Sequence, residues 1–168
     1  MNKIDLLILH GPPGAGKSSI AKAIAADLRK AEITHTVIEL DDLARIYPLE
    51  LLHLMYDNLA AIWPNYEKIG DVKIIIPTYL QKGEFEIVRA AAPAKRLTLC
   101  EVSVPQKELL SRITKREIDK AVQARLANYI DAYRENRAED EYVDLCVVNH
   151  GKELQEVAKE ITHALGWA

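Results

Sequence analysis

The chain has little cysteine, no long hydrophobic run and no surplus of basic residues. Its 168 residues include 2 cysteines, and 22 Lys+Arg against 25 Asp+Glu give a net charge of −3. No stretch approaches the roughly 18 consecutive apolar residues that a membrane-spanning helix needs. The charge balance disfavours duplex nucleic acid as the main partner. With 49% hydrophobic and 28% charged residues, the chain reads as one ordinary globular domain, residues 1–168.

The first residues and the two cysteines predict a cytoplasmic protein. The apolar run at residues 6–9 follows an acidic residue and is too short for the core of a signal peptide. Cys100 and Cys146 each lie among apolar residues, which predicts two buried, reduced thiols. Disulfides are rare in the reducing compartment that this reading implies.

Apolar, β-rich runs alternate with helical stretches along the chain. The apolar runs predict five strands, over residues 4–10, 35–40, 71–76, 96–104 and 142–148. Helical periodicity predicts helices over residues 18–31, 43–62 with an interruption at Pro48, 84–92, 106–139 with a break near 116–120, and 152–165. Strands that are apolar throughout are typical of a parallel sheet covered by helices on both faces. The sequence therefore predicts a single α/β domain.

The segment between the first strand and the first helix carries the most specific motif. It satisfies G-x-x-x-x-G-K-[ST] through Gly11, Gly16, Lys17 and Ser18, in the strand–loop–helix context that this motif requires. Glycines let the backbone wrap closely around an anion, and the positive end of the helix faces the same phosphates. Lys17 would reach the β- and γ-phosphates of ATP, and the Ser18 hydroxyl would bind Mg²⁺. We assign the whole loop to nucleotide binding: Gly11, Pro12, Pro13, Gly14, Ala15, Gly16, Lys17, Ser18 and Ser19.

Carboxylates follow the second strand. In an extended chain Glu39 and Asp41 share one face, at the carboxyl end of a strand, where open α/β sheets bind their ligands. One carboxylate can hold a water of Mg²⁺, and the other can accept the proton of an attacking hydroxyl. We assign Asp41 to catalysis and, partly through water, to the metal. Capping of the next helix is the alternative for Asp41 and the expected role of Asp42.

The run Gly11-Pro12-Pro13-Gly14-Ala15-Gly16-Lys17 resembles the phosphate loop of the adenylate kinase family. It is similar as well to related small P-loop kinases, such as the shikimate, gluconate and adenylylsulfate kinases. The resemblance implies a three-layer P-loop NTPase fold, with a five-stranded parallel sheet of order 2-3-1-4-5 and a short lid. The acids after the second strand resemble the paired acids at the same place in shikimate kinase.

Three arginines carry the resemblance further. Arg112 and Arg116 are spaced i, i+4 and so project from one helix face, and Arg125 begins an Arg-Leu-x-x-Tyr segment. The adenylate kinase family has a similar pair at the entry to its lid and a similar segment on the helix that leaves it. By this resemblance Arg112 covers the adenine, and Arg116 and Arg125 neutralise charge on the transferring phosphoryl group. A solvated basic helix face is the alternative. The lid, about residues 112–125, has no Cys or His cluster for zinc.

Two regions depart from the family pattern. The third strand runs into Pro77 with no Asp at its end, which leaves the metal to Ser18 and Asp41. The acceptor region, about residues 42–70, has no recognisable nucleoside-monophosphate signature. Its polar and aromatic residues can line an acceptor pocket, namely Arg45, Tyr47, His53, Trp63 and Tyr66, with Tyr79 and Arg89 beyond it. Its apolar residues can equally be ordinary core, namely Leu49, Leu51, Leu52, Leu54 and Met55.

The sequence as a whole predicts a kinase that moves the γ-phosphoryl group of ATP·Mg²⁺ to a small-molecule hydroxyl or phosphate. The predicted catalytic residues are Lys17, Asp41, Arg116 and Arg125. Residues 149–152 fall where related kinases wrap the purine. We expect a monomer or a homodimer. A nucleotide-binding module or slow NTPase without an acceptor is the alternative function.

Overall fold

A computed structural model describes residues 3–47 and 53–167. Its centre is a parallel sheet of five strands: β1 (Asp5–His10), β2 (His35–Val37), β3 (Lys73–Thr78), β4 (Arg96–Ser103) and β5 (Leu145–Val148). The strand order is β2-β3-β1-β4-β5, which confirms the predicted fold class. β1 pairs with β3 on one side and β4 on the other. The loop after β1 therefore leaves the carboxyl edge where the strand order reverses, which is where such sheets bind ligands.

Helices connect the strands and cover both faces of the sheet. The α-helices are α1 (Lys17–Lys30), α2 (Leu54–Glu67), α3 (Glu84–Ala91), α4 (Gln106–Arg116), α5 (Lys120–Asn136) and α6 (Leu154–Leu165). Two short 3-10 helices span Leu40–Ala44 and Asp140–Tyr142. Within the described ranges, no helix has the length and apolar character needed to cross a bilayer.

The central strand divides the core into two clusters. Leu7 and Leu9 face a cluster that includes side chains of α1 and α6, and Leu6 and Ile8 face a cluster that includes side chains of α2 and α3. The alternation arises because successive side chains of a strand point to opposite faces. All four are almost fully buried, and each contributes about 1.5–3 kcal/mol of hydrophobic stabilisation. This packing fixes the position of β1 in the core, and with it the start of the loop.

Two predicted strand ends were wrong, and both follow from the short length of β2, which lies at the edge of the sheet. β2 ends at Val37 and not at residue 40, since a 3-10 helix begins at Leu40. β3 continues through Pro77 to Thr78. Ile75 already accepts the last hydrogen bond from the β2 side, from Ile38. Residues 75 and 77 point their backbone groups to the same side of β3, toward β2. Because β2 has already ended, the N–H group that Pro77 lacks would have had no partner there.

The predicted helix over residues 43–62 is also wrong in its bounds. α2 begins at Leu54 and runs through Pro64 to Glu67. The predicted interruption at Pro48 and the leucines at 49, 51 and 52 lie outside the described residues.

The last strand departs from the prediction that all strands are covered on both faces. β5 begins at Leu145 and forms an edge of the sheet, where Cys146 and Val148 are exposed. The expected burial of Cys146 was wrong because an edge strand is packed less completely than a central one. Cys100 lies on β4 and is fully buried as expected, and burial raises the pKa of its thiol to about 12.

Candidate functional site

The phosphate-binding segment joins β1 to α1, and two of its glycines have no substitute. Gly16 has φ of 88°, and a Cβ there would lie 2.4 Å from Nδ2 of Asn149. At Gly11 a Cβ would lie 2.8 Å from the carbonyl oxygen of Val102. Gly16 thus provides a left-handed backbone and Gly11 a close approach between two backbones. The motif spacing reflects these steric requirements.

The helix after the loop begins with free amide groups. α1 has no capping side chain and no acidic residue in its first turn. The first N–H groups of a helix lack intrahelical partners, and the helix dipole adds positive potential at the same end. The Nζ atom of Lys17 donates to the carbonyl oxygens of Gly11 and Pro12, at 2.8 and 2.9 Å. Ammonium and amides therefore surround one small volume, which suits a phosphate group.

Charged side chains from other elements act on Lys17. The pKa of Lys17 is lowered to about 8, chiefly by burial; Arg116 adds to the lowering, and Asp41 and Glu39 oppose it. Asp41 from the 3-10 helix and Arg116 from the end of α4 line the same cavity as Lys17.

One cavity of about 680 Å³ gathers most of the predicted site. Of the residues predicted for catalysis, nucleotide binding or metal binding, it is lined by Pro13, Gly14, Gly16, Lys17, Ser18, Ser19, Asp41, Arg116 and Arg125. Asp42 is not among the lining residues and does not cap a helix. It lies within the 3-10 helix, and its Oδ1 accepts from Nε of Arg45 at 2.6 Å.

Arg112 and Asn149 brace the phosphate-binding loop. Arg112 donates to the carbonyl oxygens of Gly14 at 3.2 Å and Asn149 at 2.9 Å, and its Nε donates to Glu108 at 3.0 Å. The side-chain amide of Asn149 donates to the carbonyl of Ala15 at 2.8 Å. Sequence reasoning assigned Arg112 to the adenine and missed its contact with the loop. The feature of the sequence that could have indicated Asn149 is its position directly after the fifth strand.

In the segment that the resemblance assigns to a lid, the connection between the two helices is short. α4 ends at Arg116 and α5 begins at Lys120, so residues 117–119 are all that separates them. Asp119 caps α5 by accepting from the amide of Ala121 at 2.7 Å. Arg116 lies beside Glu117, with Nε 2.9 Å from its carboxylate. α4 thus brings its last residue, Arg116, to the cavity, and α5 brings Arg125 from its second turn.

The acceptor region contributes fewer of its candidate residues than expected. Arg45, Met55 and Tyr79 line the cavity. Trp63 is buried and donates to the carbonyl of Pro93 at 2.8 Å, so it belongs to the core. Others also lie away from the cavity: Tyr66 packs on the core, Tyr47 and His53 are exposed, and Arg89 pairs with Glu86. Two lining residues that sequence reasoning did not single out are Tyr56 and Glu84.

His10, at the end of β1, belongs to a buried polar chain. The amide of Leu80 donates to its Nδ1 at 3.1 Å, so in the neutral ring Nε2 carries the proton and donates to the Tyr133 hydroxyl at 3.3 Å. Burial, with Glu101 adding to it, raises the pKa of the Tyr133 hydroxyl, and Glu101 accepts from Arg137 at 2.6 Å. Burial, with Lys17 and Arg137, lowers the pKa of His10 to about 4. A neutral His10 therefore joins β1 to α5.

The oxygen groups beside the loop fit Mg²⁺. Ser18 offers a hydroxyl and Asp41 a carboxylate, which are the hard donors that this ion prefers. Across residues 3–47 and 53–167, no three His, Cys, Asp or Glu side chains form a group that could hold a metal. Mg²⁺ does not need such a cage, because it keeps waters and binds substrate phosphates.

Comparison with known proteins agrees with this geometry. The model of the ATPase family associated with various cellular activities (AAA) matches residues 7–75, a stretch that contains the loop and α1. No curated protein matches the sequence significantly.

Similar solved structures cover nearly the whole chain. The APS kinase of Mycobacterium tuberculosis, in complex with AMPPNP and APS, has a TM-score of 0.69 and 18% identity over 99% of each chain. A gluconokinase from Sinorhizobium meliloti 1021 has a TM-score of 0.65 and 19% identity, over 99% of this chain and 94% of its own. A sugar kinase from Janibacter sp. HTCC2649 has a TM-score of 0.64 and 16% identity, over 98% and 96%. The chain has the P-loop NTPase fold, and the three similar structures named above are kinases.

Proposed function

We propose that the protein transfers the γ-phosphoryl group of ATP·Mg²⁺ to a hydroxyl or phosphate of a small molecule. The observation that carries the proposal is the single cavity in which Lys17 and the uncapped end of α1 face Asp41, with Arg116 and Arg125 alongside. The kinases among the structures of the same fold support it. Phosphoryl transfer depends mainly on positioning and on positive charge around the transferring group, and the cavity combines both.

The parts of the cavity divide the tasks of the transfer between them. The loop amides and Lys17 hold the β- and γ-phosphates, and Arg116 and Arg125 offset the negative charge that spreads over the equatorial oxygens. Asp41 orients the acceptor hydroxyl and takes its proton as the oxygen attacks phosphorus. Ser18 and, through water, Asp41 would hold Mg²⁺, which would neutralise charge on the phosphate oxygens when bound.

A nucleotide-binding module or slow NTPase is the second candidate function. It is favoured by the carboxyl end of β3, where Pro77 and Thr78 line the cavity and no carboxylate stands. A coupled assay of ADP release against a panel of hydroxyl and phosphate acceptors separates the two. Release that rises with an acceptor and disappears in Lys17→Ala supports the kinase. A low rate that no acceptor changes supports the second candidate.

The variant Asp41→Asn tests the assigned base. Because a positioned base contributes about 10²–10⁴-fold, we expect acceptor-dependent turnover to fall by about 10²-fold or more, with the affinity for AMPPNP changed by less than about threefold. Asp42→Asn is the matched control, since Asp42 is paired with Arg45 and does not line the cavity. Full activity in Asp41→Asn would remove this residue from the mechanism.

A further inference from the structure

Arg125 is the cavity cation whose position depends most on its own helix. It lines the cavity together with Lys17, Arg45 and Arg116. Each of those three is held by a hydrogen bond or an ion pair within the protein. In the described part of the chain, no such bond or pair holds the guanidinium of Arg125. The place of this charge is therefore set by the place and rotation of α5.

One face of α5 carries Arg125, Tyr129 and Tyr133 at successive i, i+4 positions. Residues four apart lie on the same side of a helix. Arg125 and Tyr129 line the cavity, whereas Tyr133 is buried one turn further on. This face therefore runs from the open cavity into the core, with the guanidinium at its open end.

The ring of Tyr79 lies at the centre of the contacts with this face. Tyr79 directly follows β3. Its ring centroid is 6.4 Å from that of Tyr129, 5.5 Å from that of Tyr133 and 6.3 Å from that of His10. Aromatic rings prefer centroid separations of about 4.5–7 Å. Tyr79 therefore connects the end of β1 to the cavity face of α5.

The turn that carries Tyr79 is itself fixed from two sides. The amide of Leu80 donates to Nδ1 of His10 at 3.1 Å. The carbonyl oxygen of Leu80 accepts from the amide of Ala138, just past the end of α5, at 2.9 Å. The side chain of Leu80 is fully buried. A ring on so well-held a turn can determine the orientation of a helix that packs on it.

A neighbouring side of α5 is held by apolar contacts. Ile130 is buried in the cluster that includes side chains of α1 and α6, and Leu126 packs against that cluster. Apolar burial is non-directional, so it holds the helix against the molecule without fixing its rotation about its own axis. A small rotation displaces the end of a long side chain such as that of Arg125. A displacement of about 1 Å at a reacting centre can slow a reaction by about 10²-fold.

We propose that Tyr79 is a positioning residue for Arg125, because its ring fixes the rotation of α5 and so aims the guanidinium at the transferring phosphoryl group. The inference rests on the proposed function. Tyr79 acts through Arg125 and needs no bond to a substrate. Without the ring, α5 keeps its apolar contacts and the loop still binds ATP through Lys17, but the charge of Arg125 is misplaced when the γ-phosphoryl group moves.

The variants Tyr79→Leu and Tyr79→Phe separate the ring from the hydroxyl. We expect Tyr79→Leu to lower the kcat of ADP release by at least about tenfold. Its KM for ATP should change by less than about threefold, since the lost interaction acts mainly in the transition state. Tyr79→Phe keeps the ring and should keep kcat. Tyr66→Leu is the matched control, because Tyr66 is a half-buried tyrosine with a ring contact to Trp63 and does not line the cavity.

A double-mutant cycle with Arg125→Ala tests whether the effect passes through Arg125. Tyr79→Leu should lower the kcat of Arg125→Ala by less than about threefold, although it lowers that of the parent protein by about tenfold. A general loss of structure, or a direct contact of Tyr79 with the acceptor, would lower kcat by the same factor in both backgrounds and would overturn the assignment. Full activity in Tyr79→Leu or in Arg125→Ala, or a Tyr79→Phe variant as slow as Tyr79→Leu, would overturn it as well.

The cycle does not require a known acceptor. Where no compound of the panel stimulates ADP release, the same variants are compared in the release that water supports, because charge then develops on the same γ-phosphoryl group. Coupling between Tyr79 and Arg125 in hydrolysis alone would refute the phosphotransferase and keep the positioning role. Independent effects in acceptor-dependent release would refute the positioning role and keep the phosphotransferase. Binding of AMPPNP without any ADP release would count against both.

Discussion

At the scale of single residues, the charge of Lys17 depends on pH within an accessible range. Its pKa is lowered to about 8 because it is buried beside the loop, and phosphate oxygens would raise that pKa again on binding. Above about pH 8 the free protein must therefore take up a proton to bind a nucleotide. We expect the Kd for AMPPNP to rise between pH 8 and 10, by at most about tenfold per pH unit.

Calorimetry at several pH values measures this slope, and Lys17→Arg is the control because a guanidinium does not titrate in this range. The slope should vanish in that variant. A Kd for AMPPNP that is independent of pH in the parent protein would show that Lys17 does not meet the phosphates as an ammonium.

A second prediction at the scale of single residues concerns Asn149. Its amide donates to Ala15 from a nearly buried position, so Asn149→Asp would set a carboxylate oxygen against a carbonyl oxygen. Loss of such a buried bond costs about 1–3 kcal/mol. We expect the free energy of unfolding, measured with urea, to fall by that amount and the Kd for AMPPNP to rise.

Asn128→Asp, at an exposed position of α5, makes the same chemical change away from the loop and should alter neither quantity. A variant Asn149→Asp that loses stability but binds AMPPNP normally would make Asn149 a general structural residue and not a brace of the loop.

At the scale of elements, the junction between β1 and α5 gives a dependence of stability on pH. The pKa of His10 is lowered to about 4 from an ordinary 6.5, so between these values the unfolded chain binds a proton that the native protein does not. The contribution of His10 to the free energy of unfolding is therefore fully present above about pH 6.5. It is lost as the pH falls toward 4, and the loss is about 3 kcal/mol at most. Urea unfolding across this range measures the loss.

His10→Gln cannot titrate, so its stability should lose this part of the pH dependence. Tyr133→Phe keeps the histidine and removes its hydroxyl partner, and the dependence on pH should persist at lower overall stability. An identical pH profile in the parent protein and in His10→Gln would assign acid sensitivity to other groups.

The helices and strands also show how much of the fold could be predicted from the sequence. The strand, loop and helix around Lys17 were predictable because sequence neighbours supply every requirement: an apolar run, glycines at fixed spacing and an amphipathic helix. The end of β2 and the exposure of Cys146 on β5 were not, since both depend on which strands lie at the edges of the sheet. The contacts of Arg112 with Gly14 and of Asn149 with Ala15 span 98 and 134 residues, which no local pattern encodes.

At the scale of the whole molecule, the two thiols report on different states. Cys146 is exposed on the edge strand, whereas Cys100 is fully buried on β4, so an aromatic disulfide reagent should titrate one thiol in the native protein. In the native protein, Cys100 should react only at the rate of global unfolding. In urea it should react at once. Cys146→Ser is the control and should show no fast phase. Two fast thiols in the native protein would contradict the packing of β4.

The bond between Asn149 and Ala15 has a consequence for the order in which the molecule is made. During synthesis the phosphate loop leaves the ribosome early, but its amide donor follows 134 residues later, after β4, α4, α5 and β5. Contacts of such sequence separation form slowly, because the intervening chain must be ordered first. Tight nucleotide binding would therefore appear only once the sheet is finished, so that a nascent chain carries its phosphate motif for most of its synthesis without the means to use it.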